Sequence, residues 1–123
     1  MPPDPQPARR SNPSGHLEIG IRAAGEQSTV TLAGELDIAA APEVITLMGG
    51  VVEGSTAVLL DIEAVTFMDS AGLRCVLVCE RLCRDAGVAF ALTPGSPRIR
   101  RLFAVAGLLH WLPDAGTDPG SEG

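Results

Sequence analysis

The chain has 123 residues, enough for one domain, and 15 acidic against nine basic residues give it a net charge of −6. All nine cations are arginine, and the absence of lysine excludes a lysine-bearing phosphate loop, protein-kinase catalysis and a pyridoxal Schiff base. The acidity and the 3% aromatic content argue against a nucleic-acid reader, which needs a basic face and stacking rings.

Residues 1–15 hold five prolines and almost no apolar side chains. They cannot bury enough surface to order themselves, and they read as a disordered N-terminal tail. A secretory leader would need an apolar core there, and none is seen. Leu17, Ile19 and Ile21 then alternate with Glu18, Gly20 and Arg22, the pattern of a half-buried strand. Ala24 to Gln27 is turn-like, and Val30 and Leu32 resume the alternation, which predicts a hairpin. Asp37 and an alanine-rich stretch lead to Pro42 in a first helical turn. Val44, Ile45, Leu47 and Met48 give that helix its apolar face, and Gly49-Gly50 is its expected stop. Residues 57–60 are continuously apolar and end in Asp61, which predicts a central strand covered on both faces.

A short connector is expected next, followed by a helix from Ser70 to Arg84 with Asp69 or Ser70 as cap and Gly87 beyond its end. Residues 88–92 form another strand. Ser96 caps a third helix that has Pro97 at its first position and carries Ile99, Leu102, Phe103 and Val105. Trp111 is expected to close that helix over the sheet, while His16 and His110, at the edges of the core, receive no role. Residues 113–123 read as a loose, disordered C-terminal tail, which leaves a single domain over residues 16–112. Alternating strands and helices predict an α/β fold with right-handed crossovers. The longest nearly uncharged apolar run, residues 102–113, is shorter than the roughly 20 residues a bilayer requires.

Residues 61–73, DIEAVTFMDSAGL, carry the chemistry. Sites in open α/β sheets collect beyond the carboxyl ends of strands, and helix starts favour negative charge. Asp69 and Ser70 can each cap the helix, and only one is needed. Serine is a common N-cap, so the residues alone favour the plain capping role for Ser70. If Asp69 caps instead, the Ser70 hydroxyl points outward and is free to react.

At about 100° per residue, Gly72, Cys75, Val76, Val78, Cys79, Leu82, Cys83 and Ala86 share one arc that should pack on the sheet. Ser70, Arg74, Glu80, Arg81 and Arg84 lie opposite, with Leu73 and Leu77 among them as exposed apolar residues. An apolar centre in a charged rim suits a partner-binding patch. The three cysteines have no histidine at ligand spacing. They read as buried packing groups, so no metal and no cofactor are expected.

Four stretches carry a family likeness: AGELDIAAAPEV (residues 33–44), VLLDIEAVTFMDSAGL (residues 58–73), the strand at residues 88–92, and RLFAVAGLLHWL (residues 101–112). In these the chain resembles bacterial anti-sigma factor antagonists of the STAS-domain family. The resemblance implies the STAS fold, a mixed four- to five-stranded sheet with three or more packed helices. It implies a cytoplasmic, non-catalytic, partner-switching protein. Such a protein binds an anti-sigma factor with serine kinase activity when unphosphorylated, and is released on phosphorylation. Carried over, the acceptor is Ser70, and a phosphatase would reverse the modification. Ala71 stands where many relatives have a second serine, which leaves one acceptor.

Asp37 and Asp61 match acidic positions of the family, with turn and strand-end capping standing beside partner contact as their roles. The expected partner-binding set is Asp37, Asp61, Asp69, Ser70, Leu73, Arg74, Leu77 and Arg81. Neither nucleic acid nor direct membrane insertion is expected. The same fold also serves as a subunit docked on a membrane lipid or anion transporter complex, where Ser70 need not be modified. A phospho-aspartate receiver, suggested by Asp61, would need a lysine the chain lacks.

Overall fold

The computed structural model describes residues 8–11 and 16–114. The strands are β1 (Ala8–Ser11), β2 (Leu17–Ala24), β3 (Gln27–Leu36), β4 (Ala57–Met68) and β5 (Ala89–Leu92). The helices are α1 (Ala41–Glu53), α2 (Ser70–Asp85) and α3 (Pro97–Val105), followed by a 3-10 turn at Leu109–Trp111. The five strands form one mixed sheet in sequential order. β1, β2 and β3 pair antiparallel, and β3, β4 and β5 pair parallel through the α1 and α2 crossovers.

The predicted hairpin is present. Ala24 pairs with Gln27 across a two-residue turn, and Gly25 takes the left-handed conformation (φ +65°) that the first turn position of a tight hairpin requires. One sheet face is buried, through Leu17, Ile19, Val30, Leu32, Val58, Leu60 and Ile62. α2 lies against β4 and β5, α3 against β4, and α1 packs alongside α2.

Four expectations need correction. Part of the predicted N-terminal tail is a strand: Ala8–Ser11 pairs with residues 18–21 of β2. An open strand edge offers unpaired N–H and C=O groups, and pairing to it needs no apolar side chain. The rest of that tail, and the predicted C-terminal tail beyond Asp114, lie outside the described residues. Gly49-Gly50 does not stop α1, which continues to Glu53 because Val52 is buried and Val51 half-buried against the core. Packing of that last turn outweighs the helix-weakening effect of two glycines.

β4 does not end at Asp61. It runs on to Met68, with two irregularities in its pairing to β3, between Thr31 and Ala33 and between Gly34 and Glu35. Nor is β4 sealed on both faces. Val58, Leu60 and Ile62 are buried, while Ala57, Leu59 and Asp61 on the other face are only half-buried.

The helix starts follow the sequence. Ser96 Oγ accepts the Ile99 N–H at 3.3 Å with Pro97 in the first turn of α3. Trp111 is half-buried against the core, and Leu112 is buried. Cys75, Cys79 and Cys83 are free thiols buried on the inner arc of α2, as the helical period predicts. The Cys79 thiol is pushed well up by its hydrogen bond with Cys75 and by burial, and the Cys83 thiol is raised mainly by burial. Reactive thiolate is therefore suppressed as well as shielded. Iodoacetamide at about pH 8, near the ordinary thiol range, should label all three slowly in the folded protein and fast in denaturant. Rapid labelling of the native chain would contradict this packing.

Candidate functional site

The junction of β4 and α2 follows from the residues 68–73. Asp69, in extended conformation, is the N-cap of α2, and its Oδ1 accepts the Gly72 N–H at 2.8 Å. Its second oxygen accepts the Ile38 N–H at 3.2 Å. One carboxylate thus starts a helix and ties the β3–α1 loop to it. That loop is shaped by Asp37, whose Oδ1 accepts the Ala39 and Ala40 N–H groups at 3.1 and 3.0 Å.

Because Asp69 takes the capping role, Ser70 does not need to. Its side chain is exposed, and its hydroxyl makes no hydrogen bond to another described residue. The plain capping role that the residues alone favoured for Ser70 is thereby corrected, because the Asp69 carboxylate already holds the Gly72 N–H.

Gly72 is fixed by space. A Cβ there would overlap the Leu36 carbonyl oxygen and come within 2.7 Å of the Met68 Cγ. The first turn of α2 therefore presses against the end of β3, and this contact sets where Ser70 stands.

The expected partner-binding residues divide. Asp37, Asp69 and Ser70 gather at this end of the sheet through the Ile38–Asp69 bond. Arg74 and Arg81 are exposed along α2. Leu73 and Leu77 are half-buried, not exposed, and Leu73 packs against the edge of the core. A helix that packs on both a sheet and a second helix is covered over a wider arc than period counting assigns.

Asp61 is not part of the group. Seven residues of β4, roughly 20 Å of extended chain, carry the backbone from Asp61 to Met68. Its Oδ1 accepts the Glu63 N–H at 3.0 Å and the Thr93 hydroxyl at 3.4 Å. Thr93 Oγ1 in turn accepts the Ile62 N–H at 2.9 Å. Asp61 therefore secures the segment between β5 and α3.

Two exposed apolar residues adjoin this junction, Ile38 through its N–H on Asp69 and Phe67 three residues before Ser70, and the strand and helix periods do not pick them out. Ile38 is 73% exposed and Phe67 is 43% exposed. Ile38 had a signal: a large apolar side chain in a turn otherwise built of Asp and Ala. For Phe67 the only signal was the family likeness of residues 58–73, since the strand was expected to end at Asp61.

His16, Glu35 and Asp37 place one ligand atom each within 4.8 Å of one another at the rim. His16 Nδ1 and Glu35 Oε1 are 3.4 Å apart. Asp37 Oδ1 is already engaged by two amides, so the group reads as a histidine–carboxylate contact beside a capped turn.

Known proteins share this fold. Residues 19–113 match the family described as Mlab, STAS domain. An anti-sigma F factor antagonist of Lysinibacillus sphaericus is 34% identical over 93 residues, 73% of this chain and 79% of that protein. The crystal structure of an anti-sigma factor antagonist from Mycobacterium paratuberculosis superposes with a TM-score of 0.71 at 25% identity, covering 88% of this chain and 92% of that one. Unphosphorylated SpoIIAA, also an anti-sigma factor antagonist, gives 0.68 at 27% identity over 79% and 87% of the two chains. The phosphorylated form of SpoIIAA, from Bacillus, gives 0.63.

Proposed function

The chain belongs to the STAS domain family, and from that membership we propose that it is an anti-sigma factor antagonist working by partner switching. Unphosphorylated, it binds an anti-sigma factor that is also a serine kinase, which frees a sigma factor for transcription. The kinase then transfers the γ-phosphoryl group of ATP to the Ser70 oxygen, ADP leaves with the bridging oxygen, the hydroxyl proton passes to solvent, and the complex comes apart. A phosphatase restores the free hydroxyl. The chain itself supplies a substrate serine and a binding surface, and its place of action is the cytoplasm.

The observation that carries this reading is the exposed Ser70 hydroxyl, unengaged because Asp69 caps the helix beside it. A nucleophile that must enter a kinase active site has to be free of local hydrogen bonds and accessible. A role as a docked transporter subunit would require neither property. The surface suits a partner: Ile38 and Phe67 are apolar and exposed, Asp69 is tied to Ile38 by a hydrogen bond, and Arg74 and Arg81 are exposed along α2.

The test is Ser70→Ala. Its stability should stay within about 0.5 kcal/mol of wild type, because the cap is Asp69. It should take no phosphate from ATP and the partner kinase, by intact mass, while still binding that kinase. Undiminished single phosphorylation of the alanine variant would overturn the assignment of Ser70.

A further inference from the structure

α3 presents a stripe that the Ser70 site does not use. Arg98, Arg101 and Val105 follow one another at i, i+3 and i+7 and are exposed, Val105 by 82%. With Phe67 and Met68 at the end of β4, and with Ile99 and Leu102, they enclose an open groove of about 350 Å³. Its floor is apolar, its rim holds two guanidinium groups, and no carboxylate among the described residues lines it.

Neither Arg98 nor Arg101 has an acidic partner among the described residues; Arg98 reaches only the Thr66 carbonyl oxygen, at 3.5 Å. Arg100, between them in sequence, serves the fold instead, donating to the Pro94 and Pro113 carbonyl oxygens at 3.0 and 2.7 Å. Arginines without acidic partners among the described residues also occur on α2, but here two of them stand beside an exposed apolar floor with no carboxylate among its lining residues. They call for negative charge from outside. The groove is also continuous with the Ser70 surface, since Met68 lines it and is followed at once by Asp69 and Ser70.

We propose that this groove is a second contact for the same anti-sigma partner, and that it receives an apolar side chain flanked by carboxylates on the partner's surface. This rests on the partner-switching reading of Ser70. The apolar anchor would displace water from Phe67, Leu102 and Val105, while Arg98 and Arg101 pair with the flanking acids. Charge at such a rim acts mostly on association rate and on discrimination among partners. The groove would thus select among related kinases, and Ser70 would report the phosphorylation state.

The experiment titrates each purified serine-kinase anti-sigma factor of the source organism with wild type, Arg98→Glu/Arg101→Glu, and Val105→Ala. The double variant should bind the cognate kinase at least tenfold more weakly, with a flatter salt dependence. Val105→Ala should bind severalfold more weakly with the salt dependence unchanged. Folding should survive, because both arginines are exposed and a glutamate in the first turn of α3 is favoured by the helix dipole. Arg101→Gln serves as a second variant if the double one melts early.

Wild-type affinity in the charge-reversed protein would overturn the groove and leave the Ser70 reading standing. So would an effect confined to binding of phosphatidylglycerol vesicles, or to self-association in sedimentation. If no kinase binds or phosphorylates the wild type, the partner-switching reading fails and this proposal falls with it.

Discussion

Phosphorylation of Ser70 should lower affinity for the anti-sigma partner by more than a thousandfold while leaving the fold unchanged. The phosphoryl group adds about −1.5 to −2 charges at neutral pH. In the free protein that charge sits at the start of α2, where unpaired backbone N–H groups and the helix dipole tolerate it. Arg74, exposed and without an ion-pair partner among the described residues, lies one turn along.

In the complex the same group would be buried next to the Asp69 carboxylate. Taking a strongly hydrated anion out of water without a matched cation costs several kcal/mol, and about 1.4 kcal/mol is tenfold in affinity. Calorimetry with the purified phosphorylated and unphosphorylated chains, alongside their thermal melts, measures both halves. A loss of less than tenfold, or a large fall in melting temperature, would place the switch elsewhere. Ser70→Asp, with one charge and a shorter reach, should fall between the two forms.

Two glycine-to-alanine substitutions should have opposite signs. Gly72→Ala should destabilise the protein by about 3 kcal/mol, since the new methyl overlaps the Leu36 carbonyl and the Met68 side chain and α2 must move away from β3. That movement also stretches the Asp69–Ile38 bond, so partner binding should weaken even in the folded fraction. Gly50 lies inside α1, and a methyl added there would meet nothing within 4 Å. Gly50→Ala should therefore stabilise by about 0.5–1 kcal/mol, the ordinary helix preference for alanine. Urea unfolding of both variants tests the pair. Equal effects would mean that Gly72 is there for flexibility, and that its close approach to β3 does not matter.

Local patterns sufficed for much of this protein. Strand alternation gave the β2–β3 hairpin, and the 3.6-residue period placed Cys75, Cys79 and Cys83 inside. Cap chemistry marked the starts of α2 and α3. These features depend on residues within a few positions of one another, which a linear reading can weigh. The likeness around residues 58–73 drew attention to Ser70 in the same way.

What tertiary structure decided were the matters that depend on distant neighbours. α1 passes through Gly49-Gly50 because Val52 finds a buried place in the core. β4 passes Asp61 because β3 remains available for pairing after β5 has ended at Leu92. Only the Ile38 N–H, 31 residues away, shows that the second oxygen of Asp69 is engaged. Leu73 and Leu77 lost part of their exposure to the packing around α2. The groove joins Phe67 to Val105, residues on different elements with no shared period. No local pattern encodes that juxtaposition, because it exists only once α3 has packed against β4.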